Sequence, residues 1–272
     1  MTSVQELDLP MGWEPASRSR TYALVALTAP FSLIVLTVSA LGLTGPTVEG
    51  RLFASAFFLV GIGFAGGTWA IWRRGRPGSG VRGVELAKTD DGTPVLRIRR
   101  PRILQVTTTF IVLCFGAGAV VIGAGPLITG GTPAVVFLLC GAYFVVMPLV
   151  MLAWGVPEIR LDERGVLARG GGRRSTVAWD DVVGLYGIET RHERRLVIAA
   201  LDVKWQAERF YWTTPARRRR NAEQIEIVTE QFGVAPVLLY HLLRFYHENP
   251  AARAELGRRE ALRRLHDARF PA

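Results

Sequence analysis

The sequence predicts a bundle of four membrane-spanning helices joined to a C-terminal α+β domain. Four long apolar stretches contain no Asp, Glu, His, Lys or Arg, and each has the roughly 20 residues that a helix needs to cross a hydrocarbon layer of about 30 Å. After the last stretch the pattern changes to short alternating strands followed by an apolar helix. The four stretches are Tyr22–Leu43, Leu52–Trp72, Ile103–Ile128 and Pro133–Trp154.

These stretches divide the chain into six segments. They are an N-terminal segment 1–21, a transmembrane hairpin 22–72, a basic loop 73–102, a second transmembrane hairpin 103–154, the C-terminal domain 155–248 and a basic C-terminal helix 249–272. The loop 73–102 carries nine basic and three acidic residues. Because basic residues near span ends resist translocation, we expect both termini and this loop on the cytoplasmic side of the cell membrane, with a multi-pass topology.

Small residues are frequent in the spans, and Gly63 and Gly67 form a GxxxG pair. Such spacing lets two helix backbones approach closely. The pair is compatible with a homodimer contact or with packing inside the four-helix bundle.

The basic loop contains a predicted β-hairpin. Val84–Lys88 and Val95–Arg99 alternate in polarity around Asp91-Gly92, a dipeptide typical of tight hairpin turns. Since an isolated two-stranded hairpin is marginally stable in water, we expect it to dock on the C-terminal domain.

The C-terminal domain is predicted to contain seven strands and one capping helix. Pro236 begins a helix with a wide apolar face that extends to Glu248. This order predicts a small barrel or split sandwich closed by the helix. The predicted strands are Glu158–Asp162, Val166–Arg169, Ser175–Trp179, Val182–Ile188, Leu196–Leu201, Arg209–Thr213 and Ile225–Thr229.

Two further features of this region carry structural predictions. Trp179 is expected to end the third strand inside the core, with Asp180-Asp181 turning the chain. Asn249-Pro250 is expected to break the apolar helix and to begin a second helix, Pro250–Ala268. That helix would carry the i,i+4 pairs Glu255–Arg259 and Glu260–Arg264.

The stretch Glu158–Val166, the following glycine-rich turn and Thr176–Val183 resemble the start of bacterial pleckstrin-homology-like (PH-like) domains. Leu239–Tyr246, Asn249-Pro250 and Arg253–Gly257 resemble actinobacterial multi-pass membrane proteins that carry such a domain. The resemblance covers the C-terminal region, and the spans match in layout alone. It implies a PH-like fold whose strand-joining loops are available for ligands.

The candidate contact residues are arginines in two predicted loops. Four consecutive arginines follow the sixth predicted strand, and two more follow the glycine turn; each basic residue near an acidic membrane surface contributes about 1 kcal/mol. A solvated loop that serves topology is the alternative interpretation. The residues are Arg173, Arg174, Arg217, Arg218, Arg219 and Arg220.

The same sequence lacks the motifs of catalysis, metal binding and nucleic-acid binding. Gly-x-Ser-x-Gly and HExxH motifs do not occur, and the arginine run has no interleaved aromatic residues. We therefore expect no enzyme activity, no cofactor, no metal and no nucleic-acid partner. A homo-oligomer is possible without specific support.

The predicted function is a binding or scaffold role. The domain would recognise anionic lipid headgroups or a membrane-associated protein. The alternative is a transporter or channel component with a regulatory domain, although charged residues, which usually mark such pathways, do not occur in the spans.

Overall fold

The computed structural model describes residues 7–10, 13, 18–75, 81, 83–129, 134–153, 156–170, 173–189, 193–207 and 223–270. The chain forms two compact units, each made of separate segments. We call residues 16–77 and 102–152 the helical unit, and residues 1–15, 78–101 and 153–272 the sheet unit.

The helical unit contains a helix at each of the four predicted apolar stretches. Two of its segments, Tyr22–Leu43 and Gly50–Trp69, are long and apolar enough to cross a membrane, and 11% and 22% of them is buried. The core helix of a water-soluble protein is mostly buried, so this exposure favours membrane association. The helices are α1 (Arg18–Leu43), α2 (Val48–Gly75), α3 (Arg102–Thr129) and α4 (Ala134–Ala153).

Glycines form the contacts between consecutive helices of this unit. A Cβ on Gly63 would lie 3.2 Å from the Phe115 ring, and one on Gly67 would lie 3.9 Å from Ile111. Both glycines of the GxxxG pair therefore face α3 of the same chain, which favours the interpretation as packing between helices of one chain.

The described residues of the sheet unit form nine strands in two antiparallel sheets. The first sheet has the order β1-β2-β3-β4-β5-β8, and the second has the order β6-β7-β9. The strands are β1 (Val84–Lys88), β2 (Pro94–Arg99), β3 (Glu158–Leu161), β4 (Gly165–Gly170), β5 (Arg173–Ala178), β6 (Val182–Glu189), β7 (Arg194–Ala200), β8 (Lys204–Ala207) and β9 (Gln224–Val228).

Two parts of the fold differ from the prediction. The two sheets do not join into a closed barrel within the described residues. The sixth observed strand of the C-terminal region, β8, precedes the predicted strand Arg209–Thr213, which lies outside the described residues. The number of strands described after α4, β3–β9, agrees with the seven predicted ones, and the two strands of the separately predicted hairpin join the first sheet.

The predicted hairpin and its docking are confirmed. β1 and β2 pair with each other, and β2 then pairs with β3, placing Leu96 opposite Leu161 and Ile98 opposite Ile159. All four of these side chains are fully buried. The hairpin thus completes the core of the sheet unit.

Trp179 and the first C-terminal helix also follow the prediction. Trp179 is 1% exposed, and its indole Nε1 donates a hydrogen bond to the Asp162 carbonyl oxygen at 2.8 Å. Residues Trp179–Asp181 form a 3-10 turn. Helix α5 (Pro236–Glu248) buries Leu238, Leu239, Leu242, Leu243, Phe245 and Tyr246.

The predicted second helix is wrong in its length and its ion pairs. A 3-10 helix covers Pro250–Glu255, and helix α6 begins only at Arg259 and ends at His266. Gly257 separates them with a φ of +81°, and the Pro94 and Val95 backbone occupies the place of a Cβ there. This bend brings Arg264 to Glu255 at 2.7 Å, in place of the expected Glu260.

The N-terminal segment packs on the sheet unit, which the sequence did not predict. Trp13 is 6% exposed and lies against Gly187, with the Arg194 guanidinium 5.8 Å from its ring centre. His241 Nε2 is hydrogen-bonded to the Asp8 carbonyl oxygen at 2.8 Å. The described residues before α1, 7–10 and 13, therefore belong structurally to this unit.

Candidate anion-binding site

Three connections between the two units leave the six-stranded sheet at the same end. The Arg99 amide donates to the Gly83 carbonyl at 2.8 Å, and the Arg100 amide donates to the Pro157 carbonyl at 3.2 Å. Gly83 leads into β1, Arg99 ends β2, and Pro157 precedes β3. We call this the connection end of the sheet.

Gly83 has a backbone geometry that only glycine adopts easily. Its φ is +73°, and a Cβ would collide with the Arg99 carbonyl oxygen. The segment that enters β1 and the segment that leaves β2 can therefore approach each other closely only because residue 83 is a glycine.

Charge is distributed unevenly along the strands of this sheet. Strand register aligns the connection-end residues of β2, β3, β4 and β5 with one another. The basic residues there are Arg99, Arg100, Arg169, Arg173 and Arg174, and the acidic one is Glu158. The opposite end, which we call the far end, carries Asp90, Asp91, Asp162, Asp181 and Asp202 together with Arg164 and Lys204. These residues line one groove that also reaches Arg160 and the connection-end residue Arg174.

Glu158 organises the arginines of the connection end. Its side chain is 3% exposed, and one carboxylate oxygen accepts from Arg99 Nε at 3.2 Å while Arg97 Nε lies at 3.8 Å. The other oxygen pairs with Arg160 Nη2 at 2.5 Å. Glu85, which is half-exposed, also pairs with Arg97 and Arg99 at 3.5 and 3.4 Å.

Three guanidinium groups thus share two carboxylates, and one of the carboxylates is buried. The cluster retains an excess of positive charge, and the buried carboxylate holds the arginines in fixed positions. Such an arrangement suits the binding of an external anion, because little side-chain entropy is lost when the anion binds.

The sequence-predicted contact residues Arg173 and Arg174 lie at the start of β5, within a strand. Successive strand residues point to opposite faces. Arg174 is exposed and lies on the outer face of the sheet, which is also the face of Glu158 and Arg169. Arg173 lies on the opposite face, with its guanidinium 6.0 Å from the ring centre of Trp205. The predicted residues Arg217, Arg218, Arg219 and Arg220 lie outside the described residues.

A cleft of about 380 Å³ opens between the two sheets. Its lining residues include Ile159, Ile225 and Ile227, whose side chains are 0%, 2% and 4% exposed, together with Ala168 and Phe232. Arg169, Arg173 and Trp205 line it as well.

Acidic residues also line the cleft, and an arginine is bound to them. Arg195 contacts Glu193 at 2.6 Å and Glu226 at 2.9 Å. The pKa of Arg195 is raised, first by its hydrogen bond with Glu193. Arg195 therefore stays cationic and offsets much of the charge of these two carboxylates.

The described residues contain no group of three or more His, Cys, Asp or Glu side chains arranged to hold a metal ion. No family model, curated protein or solved structure matches the chain.

Sequence reasoning missed the Glu158 cluster because its members come from the hairpin and from β3. One signal was present: Arg97 and Arg99 alternate on one face of β2, and Glu158 and Arg160 alternate on one face of β3. Only the pairing of these strands shows that the two faces are the same.

Proposed function

We propose that this protein is a multi-pass membrane protein whose sheet unit is a non-catalytic cytoplasmic module that binds anionic lipid headgroups through its connection end. We include in this proposal the PH-like fold that the sequence resemblance implies. Two antiparallel sheets with a C-terminal helix support it, although the sheets stay separate. The main observation in support of this function is the concentration of arginine residues at the connection end of the six-stranded sheet.

The chain order supports the membrane topology. The sheet unit takes residues from before α1, from between α2 and α3, and from after α4. A folded unit of this kind lies on one side of a bilayer. The pairs α1–α2 and α3–α4 would then each leave and return to the same side, which agrees with the positive-inside distribution of arginine.

The charge distribution supports a headgroup ligand. Each basic residue near an anionic surface contributes about 1 kcal/mol, and this attraction declines within a Debye length, about 10 Å at 0.1 M salt. Arg99 is partly exposed and Arg174 is exposed, both on the outer face of the sheet. The acidic residues of the far end disfavour the reverse orientation at an anionic surface.

The test is amide hydrogen exchange of the full-length protein in nanodiscs. One set of discs contains phosphatidylcholine alone, and the other also contains phosphatidylglycerol. We expect slower exchange at the connection-end residues of β2, β3 and β5 in the anionic discs, and we expect salt to remove the difference. The double variant Arg99→Gln, Arg174→Gln should lose the protection.

The double variant Arg258→Gln, Arg259→Gln is the matched control. It removes the same charge from exposed residues beside Gly257, which contacts the far-end residue Pro94. It should keep the protection. Equal exchange in both kinds of disc would contradict the proposal and would favour a protein partner for this surface.

A further inference from the structure

The groove that begins at the far end of the six-stranded sheet has a basic half. Its floor is the outer face of the sheet, where Arg160, Thr176 and Lys204 belong to β3, β5 and β8. Register places Leu167 of β4 between Arg160 and Thr176, so these residues form one row across the strands. Arg174 is the next outer-face residue of β5 towards the connection end. Three cationic side chains therefore line one half of the groove.

The other half of the groove is acidic. Asp162 follows β3, Asp181 precedes β6 and Asp202 precedes β8, while the hairpin turn supplies Asp90-Asp91. Arg164 lies on the same side and offsets part of this charge. In the part of the chain that the structure describes, none of these carboxylates forms an ion pair. Their charge is therefore available to a ligand.

The size of the groove suits a small molecule that contacts both halves. Its volume of about 300 Å³ lies at the lower end of the range of ligand pockets, roughly 300–1,000 Å³. Arg160 and Asp162 are two positions apart, which is about 7 Å in an extended chain. A ligand with two charged groups on a short linker can therefore reach both kinds of residue.

The basic half offers several hydrogen-bond donors to an anion. Arg160 Nη2 pairs with Glu158, which fixes the guanidinium. Arg160 Nε is buried and has no acceptor among the described residues, although buried donors normally have one. Arg174, Thr176 and Lys204 are exposed. Donors from three strands suit a phosphate, whose oxygens accept more hydrogen bonds than a carboxylate does.

We infer that this groove binds a small molecule with a phosphate and a primary ammonium group, the phosphate at Arg160, Arg174 and Lys204 and the ammonium group at the aspartates. Phosphoethanolamine has this chemistry, either free or as a lipid headgroup. The inference goes beyond the proposed function, because it needs neither a membrane nor an anionic surface.

The lining of the groove favours a primary ammonium group over a quaternary one. A primary ammonium group has three donors for carboxylates. A quaternary ammonium group has no donor and is typically bound by aromatic side chains. Among the described residues that line the groove, none is aromatic. Phosphocholine is therefore the matched ligand that should bind weakly.

Amide hydrogen exchange of the full-length protein in phosphatidylcholine nanodiscs tests the inference. Free phosphoethanolamine, phosphocholine and inorganic phosphate are titrated separately. We expect phosphoethanolamine to slow exchange in the turn between β3 and β4 and at the start of β8 at lower concentration than the other two. A second set of discs contains phosphatidylethanolamine and no free ligand, which tests the lipid headgroup as the source.

Matched variants test the two halves of the groove. Lys204→Gln and Asp202→Asn should each raise the half-saturating concentration of phosphoethanolamine about tenfold, as expected for the loss of one charge-assisted hydrogen bond. Lys88→Gln and Glu163→Gln remove the same charges from exposed residues that do not line the groove, and they should leave binding unchanged. The thermal unfolding midpoint of each variant shows whether its fold is intact.

The outcomes separate this inference from the proposed function. No protection by phosphoethanolamine in either form, or equal protection by phosphocholine or inorganic phosphate, would overturn the inference. Protection by the free ligand alone would assign a soluble ligand, whereas protection in phosphatidylethanolamine discs that Lys204→Gln removes would assign the headgroup. Phosphatidylethanolamine and phosphatidylcholine both have zero net charge, so the attraction to anionic discs stands or fails independently.

Discussion

Arg99 at the end of β2 lies directly opposite Glu158 at the start of β3, and its Nε donates a hydrogen bond to the Glu158 carboxylate at 3.2 Å. The two residues are 59 positions apart in sequence, and α3 and α4 lie between them in the chain. This ion pair therefore links two parts of the sheet unit that α3 and α4 separate in the sequence. It also gives the connection end its fixed arginines.

Replacing Glu158 by Gln should destabilise the sheet unit strongly. The change leaves Arg97, Arg99 and Arg160 without their shared buried carboxylate, and removal of one partner from a buried ion pair costs about 3 kcal/mol. Glu85→Gln is the control, because Glu85 is 49% exposed and pairs with the same arginines, so its loss should cost less than about 1 kcal/mol. Urea unfolding of the full-length protein, followed by tryptophan fluorescence, measures both; equal losses would contradict a structural role for Glu158.

The C-terminal region alone should not fold cooperatively. A chain that begins at Val156 lacks Leu96 and Ile98, which are fully buried against β3. Truncation of even one such side chain costs about 2–5 kcal/mol. Thermal unfolding by circular dichroism should show no cooperative transition.

Fusing residues 78–101 to this chain should restore the transition. The Arg100 amide contacts the Pro157 carbonyl, so a short glycine-serine loop is long enough to replace α3 and α4. A chain from Val156 that unfolds as sharply as the fusion would show that the hairpin is dispensable.

Gly257→Ala should be more destabilising than Gly92→Ala. Both glycines have a φ near +80°, and the left-handed conformation costs alanine about 1 kcal/mol at either position. At Gly92 nothing lies within 4 Å of a Cβ, whereas at Gly257 the Cβ would collide with the Pro94 and Val95 backbone. Overpacking adds about 1–3 kcal/mol of destabilisation at Gly257 alone. Urea unfolding midpoints of the two variants measure the difference. Similar midpoints would mean that the chain around Gly257 does not pack tightly on β2.

The stability of the sheet unit should fall above about pH 10 because of Tyr246. Burial raises the pKa of this hydroxyl far above its ordinary value, and the nearby Glu255 charge adds to the shift. At such pH the unfolded chain loses the tyrosine proton while the folded chain keeps it, so stability decreases as pH rises. Tyr246→Phe should lessen this decrease in urea midpoints measured across the alkaline range; identical profiles for both proteins would contradict the burial of a neutral hydroxyl.

Local patterns in the sequence predicted much of the sheet unit. The Asp91-Gly92 turn, the alternating residues of β1 and β2, and the apolar face beginning at Pro236 are each specified by neighbouring residues. The helices likewise followed from their apolar stretches. Properties that depend on distant residues were not accessible in the same way.

Three features show why the rest required a structure. Gly257 interrupts the C-terminal helix because β2 passes beside it, and nothing near Gly257 in sequence encodes that contact. Trp13 packs on Gly187 across most of the chain length. The sequence predicted that Arg173 and Arg174 lie together in one loop. Only the register of β5 with β4 shows that they lie in a strand and on opposite faces of the sheet.

The central claim is that three separated chain segments form one unit on one side of a membrane. It is tested most directly by labelling single-cysteine variants with a membrane-impermeant maleimide in intact and permeabilised cells. On a background without Cys114 and Cys140, the exposed positions Leu9, Lys88, His266 and Thr47 are each replaced by Cys. The account predicts that the Thr47→Cys variant, between α1 and α2, is labelled in intact cells and that the other three are labelled only after permeabilisation. Labelling of the Leu9→Cys or Lys88→Cys variant in intact cells, with the His266→Cys variant protected, would contradict it.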